Sequence, residues 1–429
     1  MPTVTVDQAK LVLNAFAAIF QNNLVSSDVV TWKQYDTEMN DRNGLTVVEQ
    51  VGPRYTITQT TNGVQDLSGG VQDTTFGSEQ FKVNTVFGSS MGWGDFVKIR
   101  DIGDARESEA IKNAAINLAE AIDAYVLGFA AKVSNNWTGT VDNAIATFDD
   151  VANGYTRLKE EGVDDSDLRA VLTYGDKQAL ANYIVDNNSS MQDMTEGVYR
   201  SGFTGKVAGI PTLFTQQLPA LTVGTRVATA TSVTNYSSGT FIVDYADVAV
   251  SGAPGQYMTS TINFDGQTGS VTLKDGEVFT IAGVYAYDNR AKKQLGHLQQ
   301  FRVIGDYTAT AGAFSNVRIF PAPIASGPFQ NIVNTNPGVD GLAITHIGAA
   351  SATLHPRVIL QKQAVVVNTA DLIMPATGIG LRKQLSKVPV SVRMWKNSNF
   401  NTGEHDVRFD VAITANSRDR RRAVRINGA

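Results

Sequence analysis

Apolar and polar positions change period several times along this chain, and each change marks an element. In residues 11–20, Val12, Leu13, Phe16 and Phe20 fall on one face at helical spacing. Thr5 and Gln8 stand ahead of them at capping-box distance. The run could imitate the core of a secretion signal, but Asp7 precedes it, Lys10 is its one basic neighbour and Asn14 interrupts it. The pattern predicts a short amphipathic helix that docks on another surface. Residues 29–51 show no period, although Trp32 and Tyr35 offer bulky anchors, and Pro53 ends the stretch. Alternation then sets in. Tyr55 and Ile57 carry it in residues 54–59; Phe81, Val83, Thr85 and Phe87 carry it in residues 81–87. The intervening segment is rich in Gly, Thr, Gln and Asp, so the pattern predicts a long hairpin with a polar tip. A two-stranded ribbon is barely stable alone in water. It must lie on its own chain or on a neighbour.

The strongest helical signal follows. Asp104 and Glu107 have capping spacing, and Ile111, Ala115, Leu118, Ile122, Val126, Phe129 and Val133 form one stripe. Lys112, Glu120 and Asp123 lie off it. A helix over 104–133 would run roughly 45 Å and needs a broad partner such as a sheet. Residues 148–162 and 177–186 predict further helices, with a buried strand over 168–174 between them. From about 221 to 320, short alternating strands recur between turn signals such as Ala253-Pro254-Gly255, Asp265-Gly266 and Asp275-Gly276. That spacing predicts a small β-barrel or sandwich inserted into an α/β region, which resumes after Pro321. Strands over 388–395, 406–414 and 422–426 close the chain.

Composition narrows the functions open to such a chain. Its 429 residues allow several domains and a large core. With 36 Lys and Arg against 41 Asp and Glu, the net charge of −5 lacks the basic surplus of a dedicated nucleic-acid binder. Charged residues are only 18%, and Thr, Asn, Gln and Ser fill the difference, which suits many strands and much protein-contact surface. Cysteine is absent, which removes thiolate metal sites, disulfides and cysteine nucleophiles. No uninterrupted apolar run reaches a membrane-spanning length, so no membrane partner is expected.

The candidate chemistry is thin. Gly88-Ser89-Ser90-Met91-Gly92 matches the nucleophile-elbow pattern of serine hydrolases, but Trp93-Gly94-Asp95 starts a helix poorly. A turn closing the hairpin is the simpler expectation. Gly202, Gly205 and Lys206 lack the spacing of a phosphate loop. Asp164, Asp165 and Asp167 lack the Gly and Glu of a calcium loop. His346 and His355 lack the spacing of a zinc site. Arg418, Arg420, Arg421, Arg422 and Arg425, interrupted by Asp419, predict a salt-bridging surface. No catalytic, metal or cofactor residues are assigned, and the chain is read as a non-enzyme.

Three stretches carry a family resemblance: Val207-Ala208-Gly209 leading to Leu218-Pro219-Ala220-Leu221-Thr222; Asp275-Gly276-Glu277-Val278-Phe279-Thr280-Ile281-Ala282-Gly283-Val284 with Phe301-Arg302-Val303; and Val407-Arg408-Phe409-Asp410-Val411 with Ala423-Val424-Arg425-Ile426. Together with the element order, they resemble the major coat proteins of P22-like tailed bacteriophages. The resemblance covers nearly the whole chain and implies an α+β HK97-like capsid fold. It divides the chain into an N-terminal arm (1–53), an E-loop hairpin (54–92), a P-domain with its spine helix (93–136), a first A-domain part (137–220), an inserted β-barrel or I-domain (221–320), a second A-domain part (321–390) and closing P-domain strands (391–429).

It further implies homo-hexamers and pentamers forming an icosahedral virion shell around double-stranded DNA, without sequence-specific DNA binding. Assembly would take place in the host bacterial cytoplasm, with a separate scaffolding protein and a portal. Inter-subunit contacts would involve Trp32, Arg54, Tyr55, Phe76, Phe81 and Lys82. An inter-capsomer loop of the inserted domain would fall at Pro254, Gln256 and Tyr257. The HK97 lysine–asparagine cross-link is assigned to no residue pair. The alternatives are a non-viral encapsulin-type compartment, a β-rich serine hydrolase using Ser90, and a tail or adhesin component.

Overall fold

The computed structural model describes residues 6–38, 45–51, 77–93, 109–141, 143–187, 206–218, 220–227, 232–234, 258–288, 290–326, 329–335, 341–376, 378–398 and 405–426. Helix α1 (Val6–Asn23) uses the face seen in the sequence: Leu13, Phe16 and Phe20 are buried and Val12 packs beside them. It docks on its own chain. Phe16 stacks on Phe409, with ring centroids 3.9 Å apart and planes within 6°. Full burial of such a ring contributes about 1.5–3 kcal/mol, enough to hold an amphipathic arm in place.

After the single turn α2 (Ser26–Val29) comes the spine, α3 (Glu109–Val133). Its 25 residues span about 37 Å. The expected caps Asp104 and Glu107 lie outside the described residues. Ile111, Ala115, Leu118, Ile122, Val126 and Val133 are buried as their spacing requires. Asp123 is a correction: the helical pattern puts it on the polar side, and the structure buries it. Its carboxylate accepts the N–H groups of Val25 (2.8 Å) and Ser26 (2.9 Å) at the start of α2. A helix start leaves such amides without intrahelical partners, and here another helix supplies the acceptor. Burial raises the Asp123 pKa against the lowering effect of the bonds from Ser26 and Val25. Asp123→Ala is expected to cost about 1–3 kcal/mol, read as a lower urea midpoint, because two buried amides lose their acceptor.

The hub of the first sheet is the strand His405–Ser417. It pairs with Thr85–Trp93 on one side, and with Ser391–Ser398 and Val365–Asp371 on the other. Ile379–Gln384 and Thr31–Glu38 complete six strands. Alternation sends Val407, Phe409, Val411 and Ile413 into the core under α1 and α3, and turns Asp406 and Arg408 outward. By length and mean hydropathy, 1.3 over an 18-residue window, α3 qualifies as a membrane span, a signal that counting uninterrupted apolar runs misses. That apolarity is spent on this sheet and on α1.

Residues 29–51 are a second correction, since much of this aperiodic stretch is strand. Thr31–Glu38 pairs in parallel with Val365–Asp371. Leu45–Val51 pairs with Gly77–Val83 residue for residue, so the described ribbon starts before Pro53. Backbone bonds to neighbours far along the chain hold these strands, and no local alternation announces them.

The second sheet runs in the order Asn136–Thr138, Ala423–Ile426, Arg357–Gln361, Leu168–Leu172, Ile210–Phe214, Lys206–Val207. α4 (Phe148–Glu160) begins at a Thr147–Asp150 capping box, and α5 (Tyr174–Asn187) follows Leu168–Leu172. The closing strand Ala423–Ile426 belongs to this sheet and not to the long one. One tight helical turn at Arg420–Arg422, capped by Asp419, redirects the chain after Ser417.

Leu221–Thr222 pairs with Thr353–Leu354 and closes the neck of the inserted β unit. Beyond it, among the described residues, lies a sheet of seven strands in the order Ser232–Thr234, Ser260–Asp265, Phe314–Phe320, Lys293–Ile304, Val278–Asp288 and Ile332–Asn334, with Ile344–His346 also on Val278–Asp288. The pattern ends this unit at 320, but pairing carries it to His346, because Ile332 and Ile344 complete its core with Phe264, Phe279 and Phe301.

Candidate assembly surfaces

Of the residues assigned to inter-subunit contact, Trp32 turns inward: it is buried, and its indole N–H donates to the Ser26 carbonyl at 3.3 Å. Phe81 and Lys82 lie on the ribbon opposite Val47 and Thr46, with Lys82 exposed. Arg54, Tyr55, Phe76, Pro254, Gln256 and Tyr257 lie outside the described residues.

The Gly88–Gly92 motif forms neither an elbow nor a turn. It is straight strand, with Gly88 opposite Asp410 and Ser90 opposite Arg408. Gly88 is needed for space, since a Cβ there would come within 2.6 Å of an Asp410 carboxylate oxygen. Asp410 is fully buried between Arg393 (2.6 Å) and Arg408 (2.5 Å). With Arg382–Asp371, these pairs give the outer face of the long sheet a ladder of ions. Ser90→Ala is expected to leave folding and assembly unchanged, and the wild type to resist a fluorophosphonate probe; labelling at Ser90 would revive the hydrolase reading. Among the described residues, no group of three or more His, Asp or Glu side chains is placed to hold a metal ion. His355 is exposed, whereas His346 is half-buried against the Phe264 and Phe279 rings of the inserted unit.

The basic tail is largely internal. Asp419 accepts from Arg421 and Arg422; burial pushes its carboxyl up, but these two charges prevail and hold its pKa down to about 2. The Arg420 guanidinium lies 5.1 Å from the Phe320 ring centroid. Arg425 is buried where all three units meet: it donates to Gly276 O (2.6 Å) on the inserted unit, and to Lys132 O (3.1 Å) and Ser134 O at the end of the spine. A cation at a helix C-terminus is favoured by the helix dipole. Gly276, at φ +91, lets the turn approach so closely that a Cβ would lie 3.4 Å from Lys132. Arg302 reaches Asp275 at 2.9 Å. Gln300 imitates a backbone strand, accepting the N–H of Trp137 (2.6 Å) and donating to its carbonyl (2.8 Å). At the neck, buried Arg226 pairs with Glu277 at 2.5 Å, and Glu277 also accepts from the amides of Gly224 and Lys274.

These buried ties escape sequence inspection, because Gln300 and Arg302 carry no local pattern and Arg425 looks like part of an exposed basic run. Chemically they bind three units into one body and offer no acid–base pair aimed at a cleft. Exposed apolar side chains include Leu11, Val86, Phe148, Tyr174 and Ile373.

A body held together by buried ion pairs, with a separate two-stranded ribbon, suits a structural subunit. A family model described as "P22 coat protein - gene protein 5" matches residues 1–422. The chain belongs to the P22 coat protein family and is a self-assembling capsid protein of the HK97-like α+β fold. Solved structures similar to it include the capsid of cyanophage P-SCSP1u, at 10% identity and TM-score 0.44, covering 94% of this chain and 88% of that one. Mycobacterium phage Che8 gives 8% and 0.41, with coverages of 92% and 94%. The capsid of Ralstonia phage GP4 gives 8% and 0.40, with 93% and 86%. At these TM-scores they add nothing to the assignment. No curated protein matches the chain.

Proposed function

We propose that the chain assembles as hexamers and pentamers into an icosahedral virion shell that encloses double-stranded DNA, formed in the bacterial cytoplasm with a separate scaffolding protein and a portal. The family match over residues 1–422 carries this reading. The ribbon Leu45–Val51/Gly77–Val83 supports it, because two strands gain stability by lying on a further surface, here that of a neighbouring copy. The net charge of −5 suits a lining that does not grip phosphates, since each such contact would add salt-sensitive affinity. In this reading the arm runs up to the ribbon, the strands Leu45–Val51 and Gly77–Val83 belong to the E-loop, and Pro254, Gln256 and Tyr257 form an inter-capsomer loop. Electron microscopy of the purified protein, with and without a scaffolding protein, tests it. Closed shells of uniform diameter are expected; tubes, trimers or a stable monomer under every condition would overturn it.

A further inference from the structure

The ribbon strand Gly77–Val83 joins the body at Val83, and the chemistry there is specific. The ladder between Thr85–Trp93 and His405–Ser417 ends at the Thr85–Ile413 pair. One residue further on, the Thr414 hydroxyl takes over from the backbone. It accepts the N–H of Asn84 at 3.3 Å and donates to the Lys82 carbonyl at 3.3 Å. Between these two anchors Val83 is fully buried on Ala370 and Ala412, with Leu372 alongside. Alternation places Thr414 on the same face as Ala412 and Asp410, the face over which the ribbon crosses. The two alanines set the height of that crossing. A methyl group on each lets a strand pass directly above, and Val83 fills the space. An apolar contact is non-directional, so Val83 alone would leave the ribbon free to swing. The hydroxyl removes that freedom by holding the backbone on both sides of the pivot.

The geometry points to Thr414 as the positioning residue that sets the angle at which the ribbon leaves the subunit, and through it the curvature at which copies meet. The second half of this inference rests on the assembly reading above; the first half does not. Thr414→Val keeps the shape and deletes the hydroxyl, while Thr414→Ser keeps the hydroxyl. Hydrogen exchange on dispersed subunits reads the pin directly. The Asn84 amide is expected to exchange about tenfold faster in Thr414→Val than in the wild type, as for loss of one hydrogen bond, and to return to the wild-type rate in Thr414→Ser. Assembled at equal folded fraction, Thr414→Val is expected to give a broadened or shifted distribution of shell diameters, and Thr414→Ser the wild-type distribution. A role confined to stability would lower the melting temperature without changing the diameters. Equal Asn84 exchange in wild type and Thr414→Val overturns the pin, and shells of identical diameter overturn its link to curvature. Should Thr414→Val not fold, the wild type alone decides: an Asn84 amide exchanging as fast as in an unstructured peptide would refute the pin. If no variant and no wild-type protein assembled, the assembly reading would fail while the exchange result still judged the pin.

Discussion

Arg425→Met is expected to destabilise the subunit by about 3–5 kcal/mol and to loosen the inserted unit from the body, as for breaking one side of a buried charged network. The side chain is 1% exposed and donates to carbonyls of two separate segments: Gly276 on the inserted unit, and Lys132 and Ser134 at the spine terminus. Methionine fills similar volume and donates nothing, so buried carbonyls lose their partners. The guanidinium also lies 5.6 Å from the Trp137 ring centroid, a contact that methionine replaces only in part. Burial, with Arg302 nearby, lowers the Arg425 pKa to about 9 although Asp275 pulls it up, so the group is charged at neutral pH and its charge is in use. The measurement is a urea unfolding curve combined with limited proteolysis across 223–352. An earlier midpoint and faster cleavage there are expected for Arg425→Met, and neither for the exposed control Arg418→Ala. An unchanged midpoint would show that the junction is held by the apolar contacts alone.

Acid is expected to attack the inserted unit before the rest of the subunit. His346 is half-buried there, edge-on to Phe264 at 6.3 Å and tilted against Phe279 at 5.9 Å. The charge that acts on it is Arg226, itself paired with Glu277. Burial, and after it the Arg226 charge, lowers the His346 pKa from 6.5 to about 3. Below pH 6.5 the unfolded chain takes up a proton that the folded chain refuses until about pH 3. Stability is therefore full above 6.5 and falls as pH falls through that window. At pH 5 the loss from this one group is about 2 kcal/mol. His297, half-buried against Glu160 and lowered to about 4 by burial and Arg157, adds in the same direction. Asp419, lowered to about 2, loses its contribution only in stronger acid, below the ordinary carboxylate range, so the two effects separate along the pH axis. Urea midpoints between pH 7 and 4 should fall steeply in the wild type and less steeply in His346→Phe. Independently of that variant, the wild-type His346 imidazole should stay neutral by NMR down to about pH 4. Protonation near pH 6.5 would refute the account.

Local periodicity made the strongest elements legible. The stripes of α1 and α3, the helix over 148–162 and the alternation of Val407, Phe409 and Val411 can each be seen within a few turns or pleats, because burial of one face imposes its period on the sequence. Other elements left no such trace. Thr31–Glu38 has two bulky residues and no alternation, and is strand because Val365–Asp371 lies beside it. Asp123 fits a polar helix face until α2 delivers two unpaired amides to it. Trp32, expected at a contact between copies, is held inside by Ser26. Gly88 reads as half of a catalytic motif, and its use is to leave room for Asp410.

The sequence by itself determined the class of molecule: a cysteine-free, mildly acidic, β-rich chain with a long amphipathic spine, an inserted β unit and a two-stranded ribbon. Those properties follow from composition and short-range period, which any segment carries with it. Only the tertiary structure decided which charges are buried, that the closing strand crosses to the second sheet, that the inserted unit extends to His346, and that one hydroxyl at Thr414 meets the root of the ribbon. Each of these depends on groups distant along the chain meeting in space, and a hydrogen bond or ion pair between them imposes no period on the residues around either end.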